Sequence, residues 1–202
     1  MASTSINGFM CIFTLDRIDE LRRFLTSFKE DNSLPISIFL ARDIKDAHRI
    51  KTLCGFYSPF ENTVLIDIDM LVNGNLMDLF SIAEQGKIGI VREKVMNVLN
   101  SGLIVFPKKL MQEVCSHWNK RFEKSVALVQ DEIKGTWEQG LLNDLLKRFP
   151  FIELPFEYNC IIKDRTPGEE LKIYDSVKIF HFLHEPGIDR EKYKSYQEFL
   201  KL

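Results

Sequence analysis

The 202-residue chain lacks the glycine-rich signatures by which many nucleotide-binding folds are recognised. No G-x-G-x-x-G follows its first apolar run and no G-x-x-x-x-G-K-[ST] occurs anywhere, so the usual backbone cradles for dinucleotides and P-loop phosphates are missing. A nucleotide, if bound, must be held another way. Nor is there an excess of charge. Lys and Arg total 27 against 29 Asp and Glu, and the formal net charge of −2 offers no basic face to neutralise a nucleic acid. No apolar stretch approaches the ~18 residues that cross a bilayer. The amino-terminal MASTSING lacks the basic region of a signal peptide, and the apolar run Phe9 to Leu15 is cut short by Asp16 and Arg17. Four cysteines (Cys11, Cys54, Cys115 and Cys160) sit among apolar neighbours without CxxC spacing, and read as reduced core residues. The expectation is a cytoplasmic protein with no transmembrane segment and no nucleic-acid partner.

What is present is enough apolar sequence, 45% of the chain, to bury one sizeable core, and the simplest organisation is a single domain over residues 1–202. Gly8 to Leu15 reads as a central strand. Asp16 to Lys29 places Ile18, Leu21, Leu25 and Phe28 at helical spacing, and Pro35 precedes a strand from Ile36 to Leu40. That βαβ order favours parallel pairing with a right-handed crossover. A helix over Asp43 to Leu53 leads to a strand at Thr63 to Ile68. Asn73-Gly74 is a turn signal, and Asn75 can cap a helix from Leu76 to Glu84. Lys87 to Val91 and Gly102 to Phe106 suit strands, and Pro107 to Lys124 suits a helix. Thr136 to Gln139 has capping-box form ahead of a helix to Arg148. Phe151 to Leu154 and Val177 to Phe182 supply the last strands, and Tyr193 to Leu200 a final amphipathic helix. Alternating strands and helices predict an α/β class, a Rossmann-like α/β/α sandwich on a mixed central sheet.

The chemistry concentrates in Tyr57 to Phe80, where the apolar Val64-Leu65-Ile66 delivers Asp67 and Asp69 to the end of a buried strand. With thirteen aspartates in the chain, chance alone supplies about one D-x-D pattern, so context carries the reading. Two charges after a buried strand are costly unless water, a cation or partner groups meet them. In open α/β sheets ligands bind at the carboxyl ends of strands. The bland alternative is a pair of aspartates capping the turn before Asn73-Gly74. Hard oxygen ligands suit Mg²⁺ or Mn²⁺ beside a diphosphate, and an imidazole added to them shifts preference toward Mn²⁺. His181, near the end of an apolar strand, is either that imidazole or a hydrogen-bonded core residue. Asn100-Ser101-Gly102 reads as turn chemistry before a strand or as a binding segment. Glu138 is a first-turn helical acid or a site carboxylate, and Gln139 a capping-box partner or a site amide.

The order of these motifs resembles glycosyltransferase family 8, most nearly its glycogenin-like members. Lys51 stands sixteen residues before Asp67, where that family carries a donor-binding lysine. After the aspartates, Leu71 to Phe80 resembles the family's strand-turn-helix continuation, and Leu99 to Leu103 its N-S-G strand. Glu138 to Asn143 resembles D-Q-G-L-L-N, Leu154 to Asn159 resembles L-P-F-x-Y-N, and His181-Phe182-Leu183 resembles the H-F-x of the carboxyl-terminal metal site. The likeness covers essentially the whole chain. Three departures accompany it: the family's G-x-x-K-P-W is replaced by His184-Glu185-Pro186-Gly187, so its diphosphate lysine is missing and His184 replaces it only partly. The family's D-Q-G aspartate is Glu138 here, and the connection from the second strand to Lys51 is short, which opens the acceptor side.

The resemblance implies a GT-A fold and a metal-dependent hexosyltransferase. Such an enzyme moves a sugar from a nucleotide-diphosphate donor, a UDP-sugar such as UDP-glucose or UDP-galactose, to a hydroxyl on a glycan, protein or small-molecule acceptor, with retention of configuration. It assigns Asp67, Asp69 and His181 to Mn²⁺ or Mg²⁺. It gives Lys51, Asp67, Asn100, Ser101, Glu138 and Gln139 to the donor, with Thr14 toward the nucleoside and Glu138 and Lys51 nearest the reacting centre. A metal-dependent phosphohydrolase or nuclease also uses paired carboxylates and a histidine, but normally gathers further acidic ligands. A catalytically silent nucleotide-sugar-binding module is the remaining alternative, suggested by the missing Lys-Pro-Trp.

Overall fold

The computed structural model describes residues 6–94, 96–128, 137–162 and 174–182. Strands β1 (Asn7–Thr14), β2 (Ile36–Ala41), β3 (Asn62–Ile66), β5 (Ile88–Arg92), β6 (Leu99–Pro107) and β7 (Phe151–Leu154) form one sheet, in the order β2-β1-β3-β6-β5-β7. β1 pairs parallel with β2 and β3, β6 runs antiparallel to both β3 and β5, and β7 is parallel to β5. The mixed central sheet expected from the alternation of elements is therefore present. A smaller sheet joins β4 (Met70–Val72), β9 (Ile179–His181) and β8 (Cys160–Ile161).

Side chains along the central strands alternate between two cores, as a pleat with period two requires. Phe9, Cys11, Val64, Ile66, Leu103 and Val105 face one layer with α1 (Ile18–Asp31) and α4 (Leu79–Glu84), centred on Phe24, Phe28 and Phe80. Met10, Leu65, Ile104 and Phe106 face the other, where α5 (Lys108–Leu128) and α6 (Trp137–Leu146) bring Met111, Val114, Trp118, Leu142 and Leu145. Cys54, in the short α3 (Cys54–Tyr57), packs into this second layer. All four thiols are buried and unbridged. Helices on both faces make the α/β/α sandwich.

Several expected boundaries move, and each has a local cause. A 3-10 turn over Leu15–Arg17 delays α1 to Ile18, and α2 occupies Ile44–Thr52 with Asp43 as its N-cap, accepting from Asp46 N at 2.8 Å. Asn75 does not cap α4. It accepts from Met77 N at 2.8 Å in a turn of its own and donates to Asp31 O, and the helix starts at Leu79. The strand expected at Val177 to Phe182 is shorter and belongs to the small sheet, where its neighbour β4 opens the segment that resembles a strand-turn-helix continuation. Asn100 and Ser101 lie within β6 itself, not in a turn before it. The final helix expected at Tyr193 to Leu200, Thr136 and His184 fall outside the described residues.

Candidate active site

β3 ends at Ile66, and the next residues leave the large sheet for the small one. Asp67 N still donates to Gly102 O of β6 at 2.8 Å, while Asp69 O accepts from Phe182 N, just beyond β9, at 3.0 Å. The two carboxylates are thus held at the carboxyl end of a parallel strand, between two sheets, which is where open α/β folds place ligands. His181 arrives on β9 opposite Met70, and its Nε2 lies 3.3 Å from Asp69 Oδ1. Ligand atoms of Asp67, Asp69 and His181 all lie within 4.8 Å of one another.

A break in register makes room for this junction. Ile90 pairs with Ile104 but Val91 pairs with Asn100, so Ser101, Gly102 and Leu103 bulge from the β5 ladder. Bulges of this kind re-aim side chains beside functional sites. Here the bulge turns Asn100 toward the His181 side and Ser101 toward α6. At Gly102 a Cβ would stand 2.5 Å from His181 Cε1, so the ring fits only because that position is glycine.

On the other side, α2 carries His48 and Lys51 one turn apart on the same face. Lys51 Nζ lies 2.9 Å from Asp67 Oδ2 and 3.6 Å from Glu138 Oε1. Burial lowers its pKa, but the charges of Asp67 and Glu138 outweigh burial and raise it. Glu138 is 3% exposed. Its Oε1 accepts from Ser101 Oγ at 3.0 Å and its Oε2 lies 3.2 Å from His48 Nδ1. Burial pushes this carboxyl up, yet the His48 hydrogen bond and the Lys51 charge prevail and bring it down from 4.5 to about 2. Asp67 and Asp69 diverge. Burial and its neighbour's charge push Asp67 up despite Lys51, whereas burial of Asp69 is overcome by His181, Arg17 and Lys51, which hold it low. Gln139 Oε1 accepts from Ser101 N at 3.0 Å, across to β6.

Among the sequence-derived site residues, Lys51, Asp67, Asp69, Ser101, Glu138, Gln139 and His181 converge on this junction through the contacts above. Asn100 is 2% exposed and reaches it through hydrogen bonds on the His181 side, and Thr14 is buried at the end of β1. Sequence reasoning missed three neighbours. Arg17 NH2 ion-pairs with Glu20 and lies 3.7 Å from Asp69 Oδ2. His48 meets Glu138. Asn159, noted only as the last letter of a motif, lies 2.8 Å from His181 Nδ1 through its Oδ1. The spacing of His48 one turn before Lys51 was a usable signal, whereas Arg17 and Asn159 carried none beyond their neighbours in sequence.

This architecture recurs in solved structures. The crystal structure of the glycosyltransferase GlyE of Streptococcus pneumoniae TIGR4 superposes with a TM-score of 0.71 over 96% of this chain, at 16% identity. The galactosyltransferase LgtC, solved with donor and acceptor sugar analogs, superposes with a TM-score of 0.65 at 12% identity, covering 88% of this chain and 87% of that one. Mouse xyloside xylosyltransferase 1 gives 0.57 at 11% identity, covering 88% and 98%. The chain has the GT-A glycosyltransferase fold. It spans 60% of the length of GlyE. No family model matches the chain, and no curated protein matches it by sequence. Among the described residues of this GT-A chain, no helix is long and apolar enough to cross a membrane.

Proposed function

We propose that the chain is a glycosyltransferase. In this reading it moves a sugar from a nucleoside diphosphate donor, a UDP-sugar such as UDP-glucose or UDP-galactose, to an acceptor hydroxyl with retention of configuration. The observation that carries the reading is the meeting of Asp67, Asp69 and His181 at the end of β3 in a GT-A fold. The cluster fits Mn²⁺ or Mg²⁺. Its donor set is two carboxylates and an imidazole, a combination of hard oxygens and one imidazole nitrogen that suits these ions, and the candidate ligand atoms all lie within 4.8 Å of one another. Asp67, Asp69 and His181 would hold such an ion. A cation there supplies Lewis-acid stabilisation of the charge on the departing diphosphate.

The remaining residues act without intermediaries. Lys51 keeps its proton beside Asp67 and holds positive charge next to the donor phosphates. Glu138, ionised and clamped by Ser101, His48 and Lys51, faces the developing positive charge at the anomeric carbon without serving as nucleophile. Ser101 and Gln139 orient the donor sugar, and Thr14 lies toward the nucleoside. Arg17, beside Asp69, supplies the diphosphate-facing cation that the family keeps on its missing lysine. A hydrolase reading fares worse, since the described residues gather one acid-imidazole cluster and not two.

A thermal-shift series with UDP, UDP-glucose and UDP-galactose, with and without Mn²⁺, tests this. A donor that binds only the native fold raises the melting temperature, by an amount that grows with its concentration. UDP release in the presence of acceptor then measures transfer. Asp69→Ala should abolish Mn²⁺-dependent UDP affinity while retaining the fold, and undiminished affinity in that variant would sink the assignment.

A further inference from the structure

Resting on the reading of Asp67, Asp69 and His181 as a cation site, we infer that Asn159 is a positioning residue that commits His181 to coordinate through Nε2, and that the backbone N–H of Gly102 sets its orientation. The chain of hydrogen bonds has only one consistent polarity. Gly102 N, which can only donate, bonds Asn100 Oδ1 at 2.9 Å, so that atom must be the amide oxygen. Asn159 Nδ2 donates to the same oxygen at 2.9 Å, which places the Asn159 carbonyl at its other end. That carbonyl, Oδ1, lies 2.8 Å from His181 Nδ1, and an oxygen that can only accept requires a proton on Nδ1. At the far end Asn100 Nδ2 donates to Glu93 Oε2 at 3.4 Å, a carboxylate that can only accept when ionised and so agrees with the same direction.

Nε2 is left to face the carboxylates, as an N–H toward Asp69 or as a lone pair toward a cation. A ligating histidine whose second nitrogen is held by a carbonyl is fixed in tautomer and ring orientation, and losing such a partner typically weakens metal binding 10–100-fold. Glu93, Asn100, Asn159 and His181 are all buried, so bulk solvent does not compete for these hydrogen bonds. The polar residues act here through His181 and need not touch the donor. Asn100, on this account, belongs to the relay.

The test is nitrogen-15 NMR of the imidazole, with Mn²⁺ calorimetry as a second readout. His181 Nδ1 should carry its proton both in metal-free protein and in protein saturated with diamagnetic Mg²⁺. Asn159→Leu should allow Nε2 protonation to persist at Mg²⁺ concentrations that saturate the unsubstituted chain, and should lower Mn²⁺ affinity 10–100-fold. A bare Nδ1 in the unsubstituted chain, in either state, overturns the relay, and this needs no variant to fold. Full Mn²⁺ affinity in a folded Asn159→Leu protein overturns it too. Nδ1 protonation in a chain that binds no Mn²⁺ supports the polarity of the relay and overturns the cation site.

Discussion

At Gly102 an added methyl carbon would stand 2.5 Å from the His181 ring and 2.8 Å from Met70 Cε. Neither can retreat freely, because the ring is hydrogen-bonded and Met70 is packed in the core. Gly102→Ala should therefore cost about 1–3 kcal/mol of stability by overpacking. It should also weaken Mn²⁺ binding at least tenfold in calorimetry, and intact affinity would show that the ring has somewhere else to go. Glu138 makes a second residue-scale prediction, this time of pH dependence. Its carboxyl is depressed in the fold from 4.5 to about 2, so its ionised form stabilises the native state fully above about 4.5. The contribution, on the order of 3 kcal/mol by linkage, is lost as pH falls from 4.5 toward 2. Urea denaturation of Glu138→Gln should show a shallower loss of stability across that window than the unsubstituted chain. Parallel curves would mean that His48 and Lys51 do not hold the charge as described.

At the scale of elements, one side chain of α6, Asn143, fastens both backbone groups of Leu99 in β6. Asn143 accepts from Leu99 N and donates to Leu99 O, both at 2.7 Å, so it stands in for a neighbouring strand beyond Leu103, where the pairing of β6 with β3 stops. Asn143→Leu leaves a buried N–H and C=O unpaired and should cost about 2–4 kcal/mol in chemical denaturation. A cost below about 1 kcal/mol would mean that water reaches Leu99. The elements most legible in the sequence were those with sustained periodicity. α1 shows its apolar residues at helical spacing, and β3 is an unbroken buried run. β4 and β9 are three residues each, too short for any period, and their pairing depends on contacts distant in sequence. The bulge at Ser101 to Leu103 was equally hidden, because a register shift is a property of two strands and neither states it alone. Asp67 and Asp69 could be read because charge after a buried run is conspicuous. Asn159 and Arg17 could not, since what makes them matter is which atom faces them.

For the whole molecule, the candidate cation ligands belong to different sheets. Asp67 follows β3 of the large sheet, whereas Asp69 precedes β4 and His181 lies on β9 of the small one. A cation shared by all three would tie the sheets together, and its binding energy would suppress their local separation. Hydrogen exchange should show this selectively. Mn²⁺ or Mg²⁺ with UDP should slow the amides of Asn73 and Phe182, which bond Lys178 O and Asp69 O, far more than those in the middle of β3 and β6. Uniform slowing would indicate global stabilisation with no special role for the junction.

The junction also has an order of assembly. Every described strand of the large sheet has been synthesised once Leu154 is made, so Lys51, Glu138 and both aspartates precede β9 on a nascent chain. The contact from Asn73 to Val177 spans 104 positions, and β9 comes later still. Chains released early would carry the acidic pair without its imidazole. The site is completed by β9, which follows every described strand of the large sheet in the chain, so a nascent chain gathers its carboxylates before its imidazole.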